Sequence, residues 1–296
     1  MQSFSRGWQF LKQAWQMASA DKDLIKPSIY TLFTGALVSI VGIIPIALVS
    51  MLFSNAGFGG QFVIFLAGVL LVFAEFIVSY IFSAMTVYLI YGYLSEGDGR
   101  MDKAWAIVKR DLLDLATLAA ASTAVNAVKN LVKGNGNKSG RNFLAGLIDT
   151  VWTEAAYLIL PAMVIEDINL KDGIKRASQI VQDNLLLVGI STVGVKAVTG
   201  LIGFLLGLIG FTFGSGLGYG IITIAGGPNV TSGLVIGIVA GLLVFFIFVM
   251  IATVISTYTS TAYHTCLYLW ARDIETSDAP VQSISAPAPL AAVLNL

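Results

Sequence analysis

Three stretches of this chain hold no charge: residues 38–53, 62–74 and 234–256 contain no Asp, Glu, Lys or Arg. Across 296 residues only 11% are charged, 17 basic against 17 acidic. Soluble domains carry about 25%, so most of this surface is excluded from facing water. Zero net charge removes any bulk attraction to nucleic acid, and no nucleic-acid partner is expected. Cys266 is the one cysteine, which excludes an intrachain disulfide and a thiolate metal cluster. His264 is the one histidine, which argues against a multi-histidine metal site. No complete catalytic, metal or nucleotide motif is present, so neither enzyme activity nor a cofactor is expected. The N-terminal segment lacks the continuous apolar core of a cleaved signal and is not expected to be one.

What the chain has instead is long apolar runs. Hydrophobic residues make up 56% of it, and the mean hydropathy is +0.83. A hydrocarbon core about 30 Å thick needs about 20 residues of helix. Six runs approach or exceed that length: 28–53 with Pro45 inside, 62–91 broken by Glu75, and the Ala-rich 112–132. The others are 143–165 with Asp149, Glu154 and Pro161, 185–213 interrupted by Lys196, and 233–270. Residues 214–220 read as part of a glycine-rich loop. It superficially suggests a phosphate loop, but no strand precedes it and no Lys-Ser/Thr follows. The expected fold is all-α: a polytopic membrane helix bundle of six transmembrane helices in three two-helix units, with interfacial amphipathic helices. Residues 1–27 would form the N-terminal interfacial helix, 28–275 the transmembrane domain, and 276–296 a flexible Pro/Ala tail.

Phe4, Trp8, Leu11, Trp15 and Ala18 recur at four- and three-residue spacing, opposite Ser5, Gln9, Lys12 and Gln16. Two placements fit this stripe: a helix in the membrane interface, or one packed on the protein's own cytoplasmic side. Ile107-Val108-Lys109-Arg110-Asp111-Leu112-Leu113 aligns with Ile180-Val181-Gln182-Asp183-Asn184-Leu185-Leu186, and a looser copy ends at Asp23-Leu24-Ile25. Each copy follows an amphipathic stretch and precedes an apolar pair. With six spans, twelve Lys/Arg fall on one side and four on the other: Lys129, Lys133, Lys138 and Arg141. That bias puts both termini on the cytoplasmic side. Five spans give the same twelve against four, so it is the repeat that selects six.

Ser5-Arg6-Gly7-Trp8, then Asp21-Lys22, then Trp152 nine residues before Pro161, then Glu166 and Lys175-Arg176-Ala177-Ser178 form a recognisable series. In these residues the chain resembles an uncharacterised family of prokaryotic six-span integral membrane proteins, from residue 4 to about 272. Glu154 departs from that pattern, in which the surroundings of the fourth-span Trp are less acidic. The resemblance implies a six-helix fold in a prokaryotic cytoplasmic membrane. It brings no activity and no functional residues.

Gly200, Gly203, Gly207, Gly210 and Gly214 alternate three and four apart, and Gly233, Gly237 and Gly241 repeat every four. Small residues at such spacing let membrane helices approach closely, so spans five and six are expected to pack through them, Gly203 and Gly207 against Gly237 and Gly241. Glu75, Glu154 and Lys196 sit near the middle of their runs. Each costs about 2.5–3.5 kcal/mol at a helix centre, so they are expected to turn inward and pair. Lys196 lies on the glycine face and should meet Glu154 or Glu75. His264 reads as a hydrogen-bonded residue near the inner end of the last helix.

Two functions fit these residues. The first is a non-enzymatic scaffold or accessory subunit in the lipid bilayer, with a membrane-protein partner or a second copy of itself. The alternative is a small-solute or proton-coupled transporter using Glu75, Glu154 and Lys196. An intramembrane enzyme fits poorly, because the mid-span residues offer neither Ser/His nor paired Asp.

Overall fold

A computed structural model describes residues 2–53, 57–133, 139–183, 185–225, 227, 231–276 and 286–294. Among the described residues every regular element is helical. Three pairs of long helices form the bundle: α2 (Lys26–Phe53) with α3 (Gly57–Glu96), α5 (Leu112–Lys133) with α6 (Ser139–Glu166), and α8 (Leu185–Ile224) with α9 (Thr231–Thr276). A shorter amphipathic helix precedes each pair: α1 (Gln2–Ala20), α4 (Met101–Arg110) and α7 (Leu170–Asp183). Six helices are long and apolar enough to cross a membrane, so the all-α, six-span expectation holds. The spans are unequal. At 1.5 Å per residue, α5 is about 33 Å long and α9 about 69 Å.

Local chemistry fixes the element ends. Pro27 sits in the first turn of α2, where its missing N–H is no loss. Gly97, at φ 78°, ends α3, and its N–H donates to the Tyr93 carbonyl at 3.0 Å. Asp167, at φ 55°, ends α6 in the left-handed region that Asp tolerates. Asn169 Oδ1 then accepts from the Asp172 N–H at 3.1 Å and starts α7. α7 folds back along α6 there, with Gly173 against Ile159 and Met163.

The packed core lies at the end where α1, α4, α7 and the C-terminal ends of α3, α6 and α9 gather. Its fully buried rings include Phe10, Tyr258, Tyr263 and Trp270. Toward the other end the helices expose apolar side chains such as Phe33, Phe204 and Phe246. In water such an area would be a liability; in a bilayer it is the lipid face.

Four expectations need correction. Residues 214–220 are helix, not loop: α8 continues to Ile224 because its glycines seat it against α9. The tail is not free throughout. α10 (Ala288–Leu294) packs on α1, with Ala286 and Leu290 buried; residues 277–285 lie outside the described part. The buried face of α1 is Gly7, Phe10, Ala14 and Met17, so the stripe is rotated by about one residue, and Phe4 and Trp8 are exposed. Gly7 approaches α8 so closely that a Cβ there would stand 2.3 Å from the Gly194 carbonyl oxygen. Finally, Gly200, Gly203 and Gly207 have nothing within 4 Å of where a Cβ would stand. The real contacts are Gly214 with Gly241 and Gly218 with Gly237. Close approach needs small residues on both helices. Beyond Gly241 the facing residues of α9 are Phe245 and Phe248, with Gly210 already against Phe248.

Candidate functional site

Glu154 lies twelve residues before the end of α6, and His264 twelve before the end of α9. The two ends are tied together: Arg176 of α7 reaches Glu166 at 3.3 Å and also pairs with Glu275. Tyr268 adds a hydrogen bond to Glu166. Burial opposes the charge of Arg176, yet its bond to Glu275, with Tyr268 and Glu166 beside it, holds the guanidinium above its ordinary range. Equal distances from a shared end bring Glu154 and His264 to one height, about 18 Å in. Their side chains meet there, His264 Nε2 standing 3.0 Å from Glu154 Oε2. Lys196 of α8 pairs with the other carboxylate oxygen, Oε1.

His264 is buried, and its Nδ1 lies 2.7 Å from the Ser260 carbonyl oxygen. A carbonyl only accepts, so Nδ1 carries a proton. The contact between Nε2 and Glu154 then needs a second proton, on Nε2 of an imidazolium or on the carboxyl itself. In either form the three side chains together hold one net positive charge. The Tyr157 ring stacks on the imidazole, centroids 4.7 Å apart and planes 12° apart.

Glu75 does not join this cluster. Arg272 of α9 lies over the Tyr91 ring of α3 at 5.7 Å, which sets the register of those helices. From that contact His264 is eight residues away and Glu75 sixteen. The Glu75 carboxyl is therefore about 12 Å further out, where Ser39 of α2 donates to it. Lys196 also fails to sit on a packed glycine face. Its side chain is 45% exposed, because α8 has turned away from α9 at that level.

On the far side of Tyr157 lies a cavity of about 230 Å3, walled by α3, α5, α6 and α9. Its lining is largely polar: Ser79 and Ser83 of α3, Asn126 of α5, Thr153 of α6 and Thr257 of α9. Ser122 Oγ is the hub of its wall, 2.6 Å from the Tyr80 hydroxyl and accepting from Trp152 Nε1 at 2.9 Å. At its edge Lys129 Nζ meets Asp149 Oδ1 at 2.8 Å. A wider groove of about 670 Å3 between α6 and α7 has Lys196 and Glu154 on its wall. It is mostly apolar and resembles the lipid-facing surface, so it is set apart from the polar site.

Sequence reasoning underweighted His264, the Ser122 hub and the Lys129–Asp149 pair. Signals existed. The inner half of α9 carries Thr257, Thr259, Ser260, Thr261 and Thr265, too many hydroxyls for a lipid face. Lys129 and Asp149 are opposite charges on consecutive antiparallel runs. Among the described residues no group of three or more His, Cys, Asp or Glu is placed to hold a metal ion. No family model, curated protein or solved structure matches the chain.

Proposed function

We propose that the protein is a non-enzymatic carrier of a small solute, with the solute in the polar cavity and the Glu154–His264–Lys196 cluster handling a coupled proton. We include in this reading a prokaryotic cytoplasmic membrane, both termini on the cytoplasmic side, and the six-span family the sequence resembles. The observation that carries the reading is the cavity itself. A largely polar chamber inside a membrane bundle is separated only by the rings of Tyr157 and Trp152 from side chains that share a proton. Ionisable groups at such depth are retained at a cost, and they mark pathways and proton relays. The scaffold reading leaned on a free C-terminal docking peptide. Leu290 of that peptide is fully buried against its own chain.

The test is the purified full chain in phosphatidylcholine–phosphatidylglycerol vesicles carrying an internal pH dye, offered radiolabelled neutral, cationic, anionic and zwitterionic small solutes. At least one should accumulate under a proton gradient, and Glu154→Gln and His264→Gln should abolish the gradient dependence without loss of fold. Entry no faster than into empty vesicles, for every solute and both gradient directions, would overturn the proposal. Cysteines at positions 138 and 171 in a Cys266→Ser background test orientation. Labelling of both from the same side removes the six-span topology.

A further inference from the structure

We infer that the solute is a small zwitterion of the α-amino-acid type, recognised at its two charges by Lys129 and Asp149. This rests on the cavity being the solute site. The charges of its lining decide the class. Among its described lining residues Lys129 and Asp149 alone are charged, and they neutralise each other at 2.8 Å. An anionic solute could draw the ammonium of Lys129 only by stranding the Asp149 carboxylate. A cation would strand Lys129 in the same way. An unpaired charge taken out of water is costly. A solute carrying both signs removes the difficulty, because its carboxylate takes the place of Asp149 on Lys129 while its ammonium takes the place of Lys129 on Asp149. No charge is left over at any stage.

Size and position agree. About 230 Å3 is room for roughly seven or eight waters at about 30 Å3 each, below the range of about 300–1,000 Å3 usual for drug-sized ligands. The pair stands at the edge of the cavity, Lys129 on α5 and Asp149 on α6, with side chains 25% and 58% exposed. Both can therefore reorient toward a ligand without breaking the buried wall. Beyond them the cavity offers Ser79, Ser83 and Asn126, groups that suit a short polar side chain rather than a long apolar one. Ser122 is committed to Tyr80 and Trp152, so it shapes the chamber more than it reads the ligand.

The experiment measures ligand-induced thermal shifts and titration calorimetry on the purified full chain, with L-serine as the zwitterion, propionate and ethylammonium as its charged halves, and erythritol as the neutral polyol. Serine should bind, and each half should bind at least about tenfold more weakly, the loss expected when one charge-assisted hydrogen bond is removed. Asp149→Asn and Lys129→Met should each weaken serine by about ten- to a hundredfold, and Lys129→Arg should restore it. Because the pair is partly exposed, these variants should unfold at temperatures close to wild type. If Lys129→Met fails to fold, Lys129→Gln with Asp149→Asn removes both charges together and must also lose serine. Erythritol binding without serine would overturn the zwitterion and leave the carrier standing. Serine binding that ignores all Lys129 and Asp149 variants would overturn the assignment to this pair. No binding by any of the four would overturn this inference and the cavity as a solute site together.

Discussion

Replacing Gly207 and Gly214 by alanine, one at a time, should move stability in opposite directions, although both lie on one glycine stripe of α8. At Gly207 nothing stands within 4 Å of the new methyl group. The substitution then acts through helix propensity alone, which favours alanine over glycine by about 0.8–1 kcal/mol in a helix interior. At Gly214 the methyl would sit 2.4 Å from the Gly241 carbonyl oxygen and 3.4 Å from the Phe245 nitrogen. Real Cβ atoms essentially never approach closer than 3.0 Å, so the backbones must part by at least 0.6 Å (3.0 − 2.4). The obstacle is backbone on both sides, and no side chain can swing clear. Overpacking of this kind costs about 1–3 kcal/mol, and loosening the Cα–H···O contacts adds about 0.5–1 kcal/mol for each one lost. After the propensity gain, the net loss is about 1–2 kcal/mol, which lowers the midpoint by roughly 2–8 °C on the scaling for domains of 150–250 residues. The assay is thermal unfolding of wild type and both variants in one detergent. A Gly207→Ala midpoint that falls alongside that of Gly214→Ala would refute the reasoning, because it would mean that α8 and α9 stay in contact past Phe245 and Phe248.

Three further outcomes follow from the polar contacts. Ser122→Ala leaves the Tyr80 hydroxyl and the Trp152 indole N–H without their partner, and should cost about 1–3 kcal/mol in unfolding titrations; a loss under about 0.5 kcal/mol would show that Ser122 is not the hub. In double-mutant cycles Lys196→Met with Glu154→Gln should couple by at least about 0.5 kcal/mol, whereas Lys196→Met with Glu75→Gln should be additive. Coupling in the second cycle would break the register given by Arg272 and Tyr91. Arg176→Gln should loosen α6, α7 and α9 at their shared end. Its folded pKa is raised, so its contribution is complete below the unfolded value of about 12.5 and fades only as pH rises past it. The stability lost should therefore be the same at pH 6 and pH 9.

The six spans were legible because hydropathy and length act on each helix separately. The repeat was legible too, since each apolar pair carries its own amphipathic leader, and α1, α4 and α7 take those places. Partner choice was harder to read. The glycine period gave the correct face of α8 over Gly210 and Gly214, but nothing in α8 alone reveals that α9 follows Gly241 with Phe245 and Phe248. Glycines 214–220 read as loop by soluble-protein habit, although glycine is more frequent in membrane helices than in soluble ones. On α1 the aromatic residues drew the stripe toward Trp8. The close approach to α8 instead selects Gly7, with Phe10 edge-on to Tyr263 at 5.3 Å.

The charged residues show why depth was the quantity most easily misjudged. Counted from the middle of their own apolar runs, Glu75, Glu154 and Lys196 look level, and His264 looks peripheral. That counting assumes helices of one length, yet the spanning helices run from 22 to 46 residues. The physical reference is the end at which helices are tied together. Arg176 ties α6 to α9 through Glu166 and Glu275, and Arg272 over Tyr91 sets α9 against α3. Measured from those ties, Glu154 and His264 fall at one height and Glu75 about 12 Å away. The carboxylate partner of Lys196 is therefore decided by ionic contacts near the inner ends of the bundle, well away from the charge they position. Short basic and acidic clusters between apolar runs, such as Glu166 with Arg176, thus carry information about the interior that the runs themselves do not.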